Sequence, residues 1–316
     1  MSPIQSIRWT ESIRSIRWIV AKEVRDALRS RWLLAYAVAL ALLGLAAALA
    51  GTRSAGGLGL QAFGRTTATL TNLCLLLAPL VALAMGALAI AGERDRGTLD
   101  HLLAQPIARH DLLLGKYLGL LAALSAATAA GFAPAGLAIA LASGPGALPR
   151  LLPFVALASL LIAAMLAVGV LISVKSSGAV QALGLAIVTW FLLVLLYDLL
   201  LIGALLGSGL GAGALAALLV SNPVDAARVL VVLSLEPDLY LLGPAGALMV
   251  ETLSIRGTAL VLCGALLLWT VVPLAAAVRS FRLPPAPSRR RRGAWLGANR
   301  AKGWCRLPVT PGGDET

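Results

Sequence analysis

Apolar residues run through this chain in six long blocks, separated by shorter polar stretches. The blocks cover residues 33–50, 70–91, 117–142, 151–174, 180–201 and 259–278. Each is near the ~20 residues that a helix needs to cross a bilayer. The runs are continuous rather than alternating, which predicts helices and not the strands of a barrel. A further apolar stretch, 210–220, is short and Gly-rich and predicts an interfacial or re-entrant piece. The expected fold is all-α: a polytopic membrane bundle of six transmembrane helices.

Ahead of the first block, Trp9, Ile13, Ile16, Val20, Val24 and Leu28 recur at steps of three and four, while Arg14, Arg17, Lys22, Arg25 and Arg29 point elsewhere. This predicts an amphipathic helix lying on the membrane surface within residues 1–31, with Trp18 and Trp32 suited to the headgroup layer. A plain basic juxtamembrane segment is the alternative. The string Ser-Ile-Arg-Trp occurs at 6–9 and again at 15–18, with no chemistry attached to it.

Composition agrees with the pattern. Of the 316 residues, 59% are hydrophobic and 13% charged, against roughly 25% charged in soluble domains. A water-soluble fold is excluded. The net charge of +12 raises the question of nucleic acid, but its distribution answers it. Residues 1–31, 92–116, Lys175 and 279–316 hold 21 of the 26 Lys and Arg; the alternate connections hold five. By the positive-inside rule the richer side is cytoplasmic, so both termini face the cytoplasm of an inner-membrane protein and the basic excess is topological. No cleavable signal peptide is expected, because the first 31 residues are charged and the first apolar run is too long. The tail 283–316, with Pro284, Pro285, Pro287 and the block Arg289–Arg292, predicts a disordered segment touching anionic lipid. Cys74, Cys263 and Cys305 have no paired spacing, and His101 and His110 share one polar loop, so no metal site is expected.

The connection 92–116 is the most informative. It reads Glu93-Arg94-Asp95-Arg96-Gly97-Thr98-Leu99-Asp100, then Leu102-Leu103 and Gln105-Pro106. Thr98 suits an N-cap, Asp100 a first turn, and Pro106 a stop. Leu99, Leu102 and Leu103 share a face. A short capped helix flanked by four alternating charges is shaped for a groove in another protein. A solvated loop is the alternative.

On the other side, 207–258 is the only long connection. Asn222 as N-cap, Pro223 at the first helical position and Asp225 in the first turn predict a helix to about Leu235. With Arg228, these residues are candidates for contact with a periplasmic partner, or for a structural cap. Asp198 is the only acidic residue within a predicted span. It is either a polar anchor on a transport route or an interfacial carboxylate reaching water. Glycines at 115 and 119, and at 203, 207 and 211, have the spacing that permits close helix contact and is compatible with a homodimer.

The run Glu93–Leu99, followed by Gln105-Pro106-Ile107 and Leu114-Gly115-Lys116, closely resembles the coupling segment of ABC-type-2 permeases. The Tyr197–Leu200 and Asn222–Arg228 stretches resemble a branch of them, the NosY-like permeases associated with maturation of the copper enzyme nitrous-oxide reductase. The resemblance covers residues 13–282; His101 departs from it, standing where an aliphatic residue is expected. It implies a permease domain over 32–282, two membrane halves, and a separate cytoplasmic ATPase that carries the ATP and Mg. Glu93, Arg94, Asp95, Arg96, Gly97, Thr98, Leu99, Leu102, Leu103 and Pro106 are then the coupling residues. The chain itself holds no cofactor: Gly59–Thr66 mimics a phosphate loop but has Arg65 where Lys is required. With only four Met, and both His on the cytoplasmic side, any copper is expected on partner proteins. Alternatives are an exporter of lipid, polysaccharide or drug, or a mechanical link that transports nothing. An intramembrane enzyme fits poorly, since no GxSxG, HExxH or paired intramembrane carboxylate is present.

Overall fold

The computed structural model describes residues 3–54, 59–99, 108–143, 148–207, 212–235 and 243–281. The chain divides into two compact units, 1–280 and 281–316. Of the second, only Phe281 is described, so the expected basic tail lies outside the described residues.

The first unit is helical. Its elements are α1 (Pro3–Leu28), α2 (Arg31–Ser54), α3 (Gly59–Asp95), α4 (Arg109–Ser143), α5 (Leu148–Lys175) and α6 (Ala179–Trp190). A π-helical segment (Phe191–Leu196) leads into α7 (Tyr197–Gly207), and α8 (Ala212–Ser221), α9 (Pro223–Leu235) and α10 (Gly243–Ser280) complete it. Six stretches are long and apolar enough to cross a membrane: 31–50, 69–95, 109–141, 152–175, 179–203 and 253–280. The expected polytopic all-α architecture is what the chain adopts.

Several boundaries differ from expectation. α3 begins at Gly59, so residues 59–69 are helix rather than connection, and Gly59–Thr66 cannot wrap a phosphate. At its other end α3 continues to Asp95, so Glu93, Arg94 and Asp95 form its last turn instead of flanking a loop. α4 begins at Arg109, eight residues ahead of the expected third span, because Asp111 in its first turn complements the helix dipole. α10 is broken at Ser254 (φ 66°, ψ 165°), whose Oγ accepts a hydrogen bond from the Gly257 N–H at 3.4 Å and so caps the final span.

The core forms where α3 and α5 cross, with 50% and 56% of their spans buried against 11% for the fifth span. Two glycines set that approach. A Cβ on Gly169 would lie 2.6 Å from the Leu83 carbonyl oxygen, and one on Gly86 2.8 Å from that of Leu166. One turn along, the buried Ser173 Oγ accepts from the Ile90 and Ala91 N–H groups at 2.9 Å each. α2 is tied to α4 where Tyr36 donates to Thr128 Oγ1 at 2.9 Å, the threonine itself donating to Leu124 O. Tyr117 donates to Ala163 O at 3.0 Å and joins α4 to α5. Such bonds across apolar spans contribute about 0.6–1.5 kcal/mol each.

α1 packs mainly on α4. Gly115 and Gly119 make room for it: a Cβ there would meet Ile19 Cγ2 at 2.7 Å and Glu23 Cβ at 2.6 Å. This pair therefore serves a contact within the chain, whereas Gly203 faces open space. Over the described side chains of α1, 16–28, the buried face drifts from the expected one toward its end. Leu28 is exposed and Ala27 is buried in its place. Steps of four overshoot the 3.6-residue turn by about 40° each, so the apolar row Val20–Val24–Leu28 drifts off the contact. Trp18 and Trp32 are largely exposed, at 70% and 80%.

Candidate functional site

Two polar clusters stand at opposite ends of the bundle. The first surrounds the last turn of α3, where three consecutive side chains diverge to three neighbours. Glu93 Oε1 accepts from Lys116 Nζ on α4 at 2.6 Å. Arg94 donates to the Ser176 carbonyl in the turn after α5. Asp95 Oδ2 accepts from the Ala179 N–H at 2.7 Å and so caps α6, placing a carboxylate at a helix N-terminus. Lys116 also donates to Glu23 Oε1 on α1 at 2.7 Å. The three side chains of this triad are only 5%, 13% and 16% exposed for Lys116, Glu23 and Glu93.

The helix then ends in a left-handed cap. Gly97 has φ 69°, its N–H bonding to Arg94 O at 3.2 Å, while the Thr98 N–H reaches Glu93 O at 3.1 Å. Glycine meets the positive φ without strain. Thr98 Oγ1 also donates to Glu93 O at 3.3 Å, so its hydroxyl serves the end of α3. Arg96, Gly97 and Thr98 are left exposed, Leu99 is buried and helical, and Leu102, Leu103 and Pro106 lie outside the described residues. Of the expected coupling residues, Glu93, Arg94 and Asp95 thus brace the bundle, while Arg96–Thr98 form an exposed, capped turn after it.

The second cluster joins residues that the sequence keeps apart. The π segment leaves the Leu193 carbonyl without its ordinary helical donor. Asn222 Nδ2 supplies one at 2.8 Å, and also donates to Asp225 Oδ2 at 2.8 Å. Asn222 Oδ1 accepts from the Val224 N–H at 3.0 Å, the expected N-cap of α9. Arg228 grips Asp198 through two nitrogens, at 3.1 and 3.0 Å, and touches Asp225 Oδ1 at 3.2 Å. Tyr197 donates to Leu218 O at 2.7 Å and meets Ser221 Oγ. Burial pushes the Asp225 carboxyl up to about 7, with Asp198 adding to the rise and Arg228 opposing it. Burial works against the charged Arg228, but the two carboxylates outweigh it and hold its pKa above the usual value. Asn222 and Asp225 are 0% and 2% exposed, so their polar atoms are spent inside the chain. Arg228 keeps its side chain 36% exposed.

Sequence reasoning missed Glu23 and Lys116 as one site. The available signals were a carboxylate between Val20 and Val24 on an apolar face, and a lysine set directly before an apolar span. The described cysteines join neither cluster: Cys74 is buried and Cys263 half-buried in spans. Among the described residues no group of three His, Cys, Asp or Glu is arranged to hold a metal ion.

Six apolar helices, an elbow helix set against the third of them and a braced, charged turn after the second define a permease-type membrane subunit. Comparison with known proteins agrees. Residues 17–283 match the family described as "ABC-2 family transporter protein". The "Probable ABC transporter permease protein NosY" of Pseudomonas aeruginosa is 39% identical over 280 residues, covering 85% of this chain and 98% of the relative. The protein of the same name from Stutzerimonas stutzeri is 36% identical over 272 residues, covering 84% and 97%. The chain belongs to the ABC-2 transporter family and is the permease subunit of an ABC transporter. Such a subunit implies a partner ATPase.

Proposed function

We propose that this permease turns ATP hydrolysis on a separate cytoplasmic subunit into conformational work across the inner membrane, in the maturation or copper loading of nitrous-oxide reductase. The ATPase docks on the exposed Arg96, Gly97 and Thr98 after α3 and, by the resemblance, on the coupling residues Leu102, Leu103 and Pro106 that follow. The observation that carries this reading is the bracing of Glu93, Arg94 and Asp95 against three neighbours. A docked partner then pushes on a rigid end of the bundle instead of a loose loop.

Both termini face the cytoplasm in this scheme, with residues 1–31 as elbow, 32–282 as the six-span domain and 283–316 as a basic tail. ATP and Mg bind the partner, and this subunit does no catalysis of its own. Two copies form the membrane pathway. The cluster around Asn222 faces the periplasm, where Arg228 is the side chain available to a maturation protein. Copper is handled by other proteins. The name of the relatives, NosY, supports the pathway.

The test is co-purification of the partner ATPase with this permease. Leu102→Asp with Leu103→Asp is expected to abolish association while membrane insertion stays normal. Undiminished co-purification by this double variant contradicts the docking assignment.

A further inference from the structure

The Lys116 triad lies outside the residues that meet a partner, yet it concentrates three charges in a nearly closed site. Its members come from three helices: Glu23 from α1, Glu93 from α3 and Lys116 from α4. One ammonium against two carboxylates leaves a net negative charge, and Glu93 Oε2 is buried with no hydrogen-bond partner. Apolar side chains of similar volume make a stationary brace at lower cost, because buried ions lose hydration that pairing only partly returns. The triad is therefore an expensive way to hold helices still.

It is well built for passing a displacement. Gly115 and Gly119 flank Lys116 on α4 and bring α1 to within contact of the α4 backbone, which puts Glu23 in reach of the ammonium. Glu93 stands in the same turn as Arg94 and Asp95, on the element that leads directly into the exposed Arg96–Thr98 surface. The Lys116 ammonium has three protons, and Glu93 offers it one occupied and one vacant oxygen. Either Glu93 oxygen can keep hold of Lys116 as the end of α3 turns, and the same ammonium holds Glu23, so the displacement is passed to α1.

We propose that Lys116 is a positioning residue for the ATP-driven cycle: it ties α1 to the end of α3, so that motion imposed after α3 is carried to the elbow helix. The inference rests on the docking of the ATPase at that end. α1 and α3 are then linked through a shared cation, and α1 moves with the motor instead of floating on the membrane surface.

The experiment uses the full chain with its ATPase in lipid nanodiscs, and three variants. Glu23→Ala keeps the Cβ that packs on Gly119 and leaves Lys116 paired with Glu93, so folding is spared. Lys116→Met removes the cation, and Lys116→Arg retains it. Readouts are ATPase co-purification, stimulation of its turnover by the permease, and the nucleotide-dependent distance between spin labels at the exposed Trp18 on α1 and Val271 on α10, a helix not tied to the end of α3. Glu23→Ala and Lys116→Met are expected to keep the ATPase bound, to lose stimulation by at least about fivefold, and to abolish the distance change. Lys116→Arg restores most of both. Wild-type stimulation and distance change in Glu23→Ala overturn the proposal, as does loss of ATPase binding by that folded variant. Failure of the wild-type pair to associate at all counts instead against the docking site.

Discussion

Arg228 and Asp198, thirty positions apart, meet in a two-pronged ion pair at 3.1 and 3.0 Å that fastens α9 to the C-terminal part of the fifth span. The pair explains why a carboxylate is tolerated so near the end of an apolar helix. Asp198 is neither free in water nor alone in lipid. It shares the guanidinium with Asp225, and Asn222 closes the cluster by occupying the carbonyl that the π segment leaves open.

Removing Arg228 should therefore cost more than removing Asp198. Arg228→Met leaves two carboxylates facing each other, and about 2 kcal/mol of stability is expected to go, less than for a fully buried pair. Asp198→Asn keeps Arg228 on Asp225 and should cost about 1 kcal/mol or less. Thermal unfolding of the purified chain in detergent, read as a double-mutant cycle, should show a coupling between the two positions.

The raised Asp225 carboxyl gives a signed pH dependence. With a value of about 7 in the fold against 3.8 when exposed, the folded state binds the extra proton between those limits. This contribution to stability is complete at the acid end and is lost as the pH climbs through neutrality. The melting temperature of the parent chain should fall more steeply between pH 5 and 8 than that of Asp225→Asn. Equal slopes would deny Asp225 the titration. The Asn keeps an acceptor for Asn222, so the comparison isolates charge.

Gly169 is expected to tolerate no side chain. Its Cβ would stand 2.6 Å from a backbone oxygen, which cannot swing aside as a flexible side chain can. Gly169→Ala should destabilise by about 1–3 kcal/mol through forced separation of α3 and α5. Gly203→Ala meets nothing within 4 Å and should be neutral or slightly stabilising. Detergent melting curves of the two variants provide the comparison.

The six spans and the start of α9 were legible in the sequence because their causes are local. A run of about twenty apolar residues specifies a span. Asn222, Pro223 and Asp225 occupy the positions where their own backbone demands a cap, a fixed φ and a negative charge. Glu23, Glu93 and Lys116 were not legible as a unit, since Lys116 and Glu23 lie 93 positions apart and no periodicity relates them. The same holds for Asp198 and Arg228. Each could be singled out as a charge in unusual surroundings, but pairing is decided by how the helices cross. The π segment was hidden for a related reason: Phe191–Leu196 is as apolar as its surroundings, and its distortion is met by Asn222 from another element. The drift of the α1 face over its described side chains, 16–28, which replaces Leu28 by Ala27, shows how a row spaced by four misleads.

The account as a whole depends on which surface the motor touches. Site-directed cross-linking from position 98, with Thr98→Cys in a cysteine-free background carrying a short photoreactive group, tests this in the assembled complex. Position 221, with Ser221→Cys, serves as the opposite end. The expected result is an adduct with the ATPase from position 98 and none from position 221. An ATPase adduct from 221, or its absence from 98 in an active complex, would contradict the coupling scheme.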